Sequence, residues 1–221
     1  FRRVLFRSKL STEVAQLWHE KFGLRISEGY GATECGPAMS VNAPLTFRPG
    51  SVGRLLPGIE HQLLPVNGIA AGGALHVRGA NLMSGYLLAA HPGELVAPSS
   101  AAGAGWHDTG DIVDIDERGF VTILGRARRF VKVAGEMVSL ELVERVAARA
   151  SPAHRHAADI DAESEQGEST VLYTTDAALT RMDLMRAARE MGASDLAAAR
   201  RLVVVDELPL LGNGKVDYVS L

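Results

Sequence analysis

The span Trp106–Gly135, W-H-D-T-G-D-I-V-D-I-D-E-R-G-F-V-T-I-L-G-R-A-R-R-F-V-K-V-A-G, constrains the fold more than any other part of the chain. Apolar residues alternate on either side of D-E-R-G, which predicts two short strands joined by a turn. A charged joint and a glycine loop follow. The hairpin brings Asp111, at the end of the T-G-D turn, beside Arg126. A carboxylate can accept from two vicinal ribose hydroxyls, and a guanidinium can bind a hydroxyl or a phosphate oxygen with fixed geometry. The pair therefore suits a nucleotide. An ordinary hairpin with a surface ion pair accounts for it equally well, and this stretch alone does not separate the two.

The 221 residues leave room for one or two domains with a real core. A hydrophobic content of 47% with 22% charged residues is that of a globular protein. The net charge of -3 gives no sign of a nucleic-acid partner. No apolar run is long enough to span a bilayer, and no signal peptide is visible. Cys35 is the single cysteine, so there is no disulfide framework and no thiol metal cluster; a reducing, cytoplasmic setting fits. The first eight residues, F-R-R-V-L-F-R-S, lack an initiator Met and resemble a translated sequencing-adaptor tail; a short basic helix end is the other reading. Setting residues 1–8 aside, the chain is expected to be a fragment of a longer protein.

Ser11-Thr12-Glu13 offers an N-cap, and Val14, Leu17, Trp18 and Phe22 follow at helical spacing up to Gly23. Leu24–Glu28 reads as a strand running into the loop Y-G-A-T-E. Strands are expected at 38–42, 60–66 and Ala74–Arg78, separated by glycine and proline turns, which predicts a small barrel or a distorted sheet. Residues 89–105 read as a loop. After the joint, Ser139–Ala150 reads as a helix with Leu140, Val143 and Ala147 on one face. Strands near 154–161 and 169–175 flank a polar turn at 163–168, and a helix near 180–191 and the strand Arg201–Val205 follow. Overall this is an α+β arrangement: residues 9–126 as one part and 127–221 as a compact second part.

Y-G-A-T-E at Tyr30–Glu34, T-G-D at 109–111, G-R-x-x-x-x-x-K-x-x-G at 125–135 and P-L-L-G-N-G-K ending at Lys215 occur in that order. In combination they resemble the acyl-adenylate-forming superfamily of acyl-CoA synthetases, aryl-CoA ligases, luciferases and peptide-synthetase adenylation domains. The wording of E-G-Y-G-A-T-E-C-G-P, A-G-E-M-V-S-L-E-L-V-E and L-P-L-L-G-N-G-K-V-D, spread over residues 10–221, is similar to one branch. That branch is the acyl-acyl-carrier-protein synthetase half of bacterial 2-acylglycerophosphoethanolamine acyltransferase.

The resemblance implies the end of a large AMP-binding domain with a distorted barrel, then a small mobile lid domain. It assigns Tyr30 to bracketing adenine, with Glu28, Gly29 and Gly31 beside it, Thr33 to the α-phosphate and Glu34 to Mg²⁺. Asp111 would hold the ribose and Arg126 the ribose and phosphate. Arg128 occupies the hinge, where many relatives carry aspartate and others lysine. Lys132, Gly135 and Glu136 would belong to a loop that enters the site for thioester formation, bordering a phosphopantetheine channel. Lys215 would orient the substrate carboxylate and α-phosphate and offset charge as adenylation proceeds. Each motif also has a plain alternative: a capped loop for Thr33, a basic patch for Arg126, Arg128, Arg129 and Lys132, and a solvated lysine for Lys215. His107 is left out because adenylation needs no general base. His154 and His156, expected to alternate on a strand, lack partners at metal-ligand spacing.

The expected function is an ATP-dependent fatty acid–acyl carrier protein ligase, forming an acyl-adenylate and then a thioester. The resemblance further implies a bifunctional acyltransferase/synthetase of phospholipid metabolism at the inner face of the bacterial inner membrane, attached through upstream segments. The upstream phosphate loop is not in this sequence, so this chain itself is expected to be inactive. Other acyl- or aryl-CoA ligases, a peptide-synthetase adenylation domain, and a non-catalytic nucleotide-binding module are the alternatives.

Overall fold

The computed structural model describes residues 4–5, 10, 12–69, 71–161, 169–212 and 214–221. Ser11, the polar turn at 163–168 and Asn213 of G-N-G-K lie outside the described residues, as does most of the terminal segment 1–8. Close contacts divide the chain into a first unit, Phe1–Val66 with Ala70–Leu124, and a second, Asn67–Ile69 with Gly125–Leu221.

In the first unit, β1 (Val4–Leu5) precedes α1 (Thr12–Phe22). Glu13 in the first turn of α1 and His19 and Lys21 in the last complement the helix dipole. The helix stops where the Gly23 amide donates to His19 O at 2.9 Å and the Leu24 amide to Trp18 O at 3.4 Å. That stop occupies Leu24, so β2 runs Ser27–Tyr30 instead of starting at Leu24 as its apolar residues predict. β2 pairs in parallel with β1, which lies in the segment set aside as a tail. It pairs antiparallel with β3 (Ser40–Val41), and β3 with β4 (Arg54–Leu55).

The chain continues through β5 (Ile59–Leu64), β6 (Gly73–Gly79), β7 (Tyr86–Leu87), β8 (Leu95–Val96), β9 (Ser99–Ser100), β10 (Gly103–Ala104), β11 (His107–Ile115) and β12 (Val121–Arg126). The expected loop 89–105 thus contains strand residues: β8 pairs with β7, and β10 with β9. Each of these strands has two residues, too few for any alternation to register in sequence. The main sheet has the order β12-β11-β6-β5. It meets the β1–β4 sheet at a corner, where the Val52 amide donates to Val121 O at 2.9 Å and the Val121 amide to Gly53 O at 2.8 Å. Among the described residues the sheets stay open, so the barrel expected as one option does not close. Tyr30, Cys35, Met39, Leu75, Val77, Val113 and Val121 form the core of this unit.

The second unit begins with the turn Ala127–Arg129 and the hairpin of β13 (Phe130–Val133) and β14 (Glu136–Ser139). Then come α2 (Leu140–Ala150), β15 (His156–Ile160), β16 (Thr170–Thr174), α3 (Arg181–Glu190) and β17 (Arg201–Val204). β15 and β16 are antiparallel, and β16 and β17 parallel across the α3 crossover. Thr180 and Asp183 cap α3 reciprocally, each side chain accepting from the other's backbone amide. Val143, Val146 and Ala147 of α2 pack with Leu172, Leu184 and Ala188 in one apolar core. Both helices therefore bury one stripe against the sheet and each other. His154 lies before β15, not on it, because its Nδ1 contacts Ser151 Oγ at 2.8 Å in the turn that follows α2. Among the described residues no helix is long and apolar enough to cross a membrane.

Candidate active site

Tyr30 ends β2, and its carbonyl accepts from the Met39 amide at 2.8 Å. The chain then has to pass close to its own return path. A Cβ on Gly31 would lie 1.7 Å from Pro37 O, so only glycine fits. Thr33–Cys35 form a single tight turn. That turn is fastened from outside: the Met83 amide donates to Glu34 O at 2.8 Å, and Asn81 Nδ2 to Cys35 O at 2.6 Å. Cys35 is buried, and burial followed by the neighbouring Glu34 carboxylate pushes its thiol up to about 11. It behaves as a small apolar filler.

Thr33 stands exposed on this loop and Glu34 is half-buried. The Glu34 carboxylate enters none of the hydrogen bonds or ion pairs of the described residues. No group of three or more His, Cys, Asp or Glu side chains among them could hold a metal alone. One available carboxylate suits Mg²⁺, a cation whose remaining ligands are phosphate oxygens and water. The residues therefore fit the ion that the resemblance implies.

The T-G-D motif is a break in β11. Its register with β6 slips between Asp108 and Ile112. Such an irregularity re-aims a side chain that a regular strand would direct elsewhere. The slip is braced locally. Asp108 Oδ1 accepts from the Gly110 amide at 2.8 Å, and Thr109 Oγ1 donates to Leu75 O at 2.8 Å while accepting from the Asp111 amide at 3.2 Å. Asp111 is 4% exposed, and its Oδ2 accepts from the Tyr30 hydroxyl at 2.6 Å. The first two motifs, 81 positions apart, thus meet through one buried hydrogen bond.

The other residues singled out in the sequence fall as follows. Glu28 and Gly29 lie on β2; the Glu28 carboxylate accepts from the Leu10 amide at 3.4 Å, and Gly29 pairs with Val41. Arg126 ends β12 and Arg128 sits in the turn after it, both exposed and both in the second unit. Lys132, Gly135 and Glu136 belong to the β13–β14 hairpin, a regular element where a loop was expected. Four paired residues on each strand and a two-residue turn explain the difference. Lys215 is exposed on a tight hairpin in which the Leu211 amide donates to Lys215 O at 2.7 Å and Leu210 bridges Val216.

Some neighbours of these residues carry no sequence signal. Asn81 and Met83 hold the Glu34 loop through an amide side chain and a backbone group. Tyr86 places its hydroxyl 3.3 Å from Nδ1 of the buried His107. Burial, then the Glu34 charge, raises the Tyr86 hydroxyl above its ordinary value.

Comparison with known proteins addresses the family and the fold. Residues 2–87 match the family model of the AMP-binding enzymes. A long-chain-fatty-acid–CoA ligase of Escherichia coli O157:H7 is 30% identical over 210 residues, covering 92% of this chain and 36% of the relative. A p-hydroxybenzoic acid–AMP ligase of Mycobacterium tuberculosis is 33% identical over 204 residues, covering 88% and 28%. The chain thus spans about a third of the length of these curated relatives. In fold it is similar to O-succinylbenzoate coenzyme A synthetase of Bacillus subtilis, solved in complex with ATP and magnesium ion. The TM-score is 0.77 at 22% identity over 96% of this chain and 44% of that one. By sequence match residues 2–87 belong to the AMP-binding enzymes, and the relatives along the chain support the acyl-adenylate-forming superfamily.

Proposed function

We propose that this chain supplies the adenosine-binding end and the mobile lid of an AMP-forming acid–thiol ligase. The observation that carries the reading is the Tyr30–Asp111 hydrogen bond, which joins the adenine-side and ribose-side motifs of the resemblance in one buried place. In this reading Tyr30, flanked by Glu28, Gly29 and Gly31, borders the adenine, and Asp111 accepts from the ribose hydroxyls. Thr33 donates to the α-phosphate and Arg126 binds ribose and phosphate. Glu34 would hold Mg²⁺, which offsets charge on the phosphates when bound.

The substrate carboxylate attacks the α-phosphorus, the bond to the bridging oxygen of pyrophosphate breaks, and acyl-AMP forms. Lys215 stabilises the charge shared by the attacking carboxylate and the α-phosphate. The second unit then turns about Arg128, bringing Lys132, Gly135 and Glu136 to the site. The acceptor thiol attacks the acyl carbonyl and AMP leaves.

The relatives' names favour a fatty acid as substrate and coenzyme A as acceptor. The wording A-G-E-M-V-S-L-E-L-V-E favours the phosphopantetheine thiol of acyl carrier protein as the second reading. The test uses the gene product that carries this chain. Pyrophosphate exchange into ATP, dependent on a fatty acid, is expected, with a loss on the order of 10²-fold or more in Asp111→Ala and Lys215→Ala. Lys215→Ala is expected to keep transfer from supplied acyl-adenylate to the thiol, because one lysine cannot occupy the site in both orientations of the lid. Offering coenzyme A and acyl carrier protein in parallel decides the acceptor. Absence of exchange in the parent protein would mean a non-catalytic nucleotide-binding module, and equal loss of both half-reactions would remove Lys215 from the first step.

A further inference from the structure

The second unit contains a polar cluster that the proposed reaction does not use. Arg129 closes the turn Ala127–Arg129, directly after Arg128. Its side chain is 16% exposed, and Nη2 donates to Glu144 Oε1 at 2.7 Å and to Ala158 O at 3.4 Å. The same Glu144 oxygen accepts from the Ala158 amide at 2.9 Å and from the Tyr218 hydroxyl at 2.9 Å. The Arg129 guanidinium carbon lies 3.9 Å from the centroid of the Tyr218 ring. Arg129 Nε is buried with no hydrogen-bond partner among the described residues. A cation kept half out of water with one donor unsatisfied is held by the rest of its contacts, here the carboxylate and the ring. Burial, then the Glu144 carboxylate, pushes the Tyr218 hydroxyl up to about 12, so it stays protonated and able to donate.

Tyr218 follows closely on Lys215 in the chain. The two arms of the Lys215 hairpin are tied together: besides the Leu211–Lys215 bond, the Asp217 amide donates to Pro209 O at 2.9 Å. Asp217 in turn accepts from the Val219 amide at 3.1 Å and from Ser220 Oγ at 2.8 Å, closing the turn around Tyr218. The hairpin has little apolar anchorage at its tip, where Leu210 and Leu211 are 44% and 46% exposed. Tyr218 gives it a fixed point on Arg129 and Glu144.

We infer that Tyr218 is a positioning residue, whose ring on Arg129 and hydroxyl on Glu144 lock the Lys215 hairpin to the segment that follows the hinge. The inference rests on the reading above, in which Arg128 is the pivot and Lys215 acts in the first step. Turning at Arg128 then moves the ammonium as part of one body, not at the end of a loose tail. That matters because a displacement of about 1 Å can cost a positioned group on the order of 10²-fold in rate.

The test compares Tyr218→Ala and Tyr218→Phe in the gene product that carries this chain. Tyr218→Ala is expected to lower the kcat of pyrophosphate exchange roughly 10- to 100-fold, with KM for ATP within about threefold because Tyr30, Thr33 and Asp111 lie in the first unit. It is expected to leave transfer from supplied acyl-adenylate near the parent rate. Tyr218→Phe keeps the ring on Arg129 and should recover most of the exchange. Amide hydrogen exchange adds a readout independent of turnover: in Tyr218→Ala, the Leu211 and Asp217 amides should lose protection while those of α2 and β16 keep theirs. Exchange unaffected in Tyr218→Ala, both half-reactions falling together, or protection lost throughout the second unit would each overturn the inference. Lys215→Ala separates this from failure of the underlying reading. If Lys215→Ala abolishes pyrophosphate exchange and Tyr218→Ala does not, only the latch is wrong; if Lys215→Ala has no effect, the reading itself fails.

Discussion

Tyr30 carries two duties through one side chain: its ring fills the first unit's core, and its hydroxyl orients Asp111. A buried carboxylate that loses a donor is costly, by roughly 1–3 kcal/mol. Tyr30→Phe should therefore destabilise the first unit by about that much. Trp18 and Trp106 both lie in that unit, so urea unfolding followed by tryptophan fluorescence reads it directly. An unchanged midpoint would mean that the Asp111 carboxylate is satisfied without the phenol. At this scale the motif residues are legible in sequence, because Y-G-A-T-E and T-G-D are contiguous. Their partners are not: nothing local marks Asn81 as the residue that holds Cys35, or Glu144 and Tyr218 as one cluster around Arg129.

Among elements, the β13–β14 hairpin has a visible flaw. Its turn residues Ala134 and Gly135 have φ of 51° and 90°, the left-handed pattern of a primed two-residue turn. Alanine pays a steric cost there that asparagine largely avoids. Ala134→Asn should stabilise the second unit by about 0.5–1 kcal/mol, seen as a higher urea midpoint in far-UV circular dichroism. A lower midpoint would show that the hairpin does not limit the stability of that unit. Long elements with strong periodicity, such as α2, α3 and β6, run close to where their apolar spacing puts them. The segment from Lys132 onward reads as a loop because one alanine sits where a turn signal belongs. The two-residue strands β8, β9 and β10 are set by backbone pairing, which leaves no trace in side-chain pattern.

At the scale of the whole molecule, the second unit is built to respond to acid. Hydrogen bonds from Ser151 and then the Ala178 amide, with His154 nearby, hold the Asp176 carboxyl below its usual range. A carboxyl depressed in the folded state contributes stability above its unfolded pKa, near 4, and that contribution disappears as pH falls through the folded value. Asp176→Asn should thus lower the thermal midpoint at pH 7. The gap to the parent chain should narrow as pH falls below about 4 and close once it has passed through the depressed folded value. A gap that stays constant with pH would assign the effect to shape and not to charge. Asp183 and Asp195 are depressed in the same direction by Thr180 and Arg189 respectively, so the parent chain as a whole should lose stability over this window.

The sequence by itself determined the family, the order of the motifs and most of the regular elements. Those depend on residue type and short-range spacing, which the chain carries within a few turns or strands. Tertiary structure alone decided that Tyr30 hydrogen-bonds Asp111, that the sheets stay open, and that Tyr218 closes over Arg129 beside the joint. Each of those joins residues from distant parts of the chain. Local pattern selects the elements, whereas packing selects which of their side chains meet.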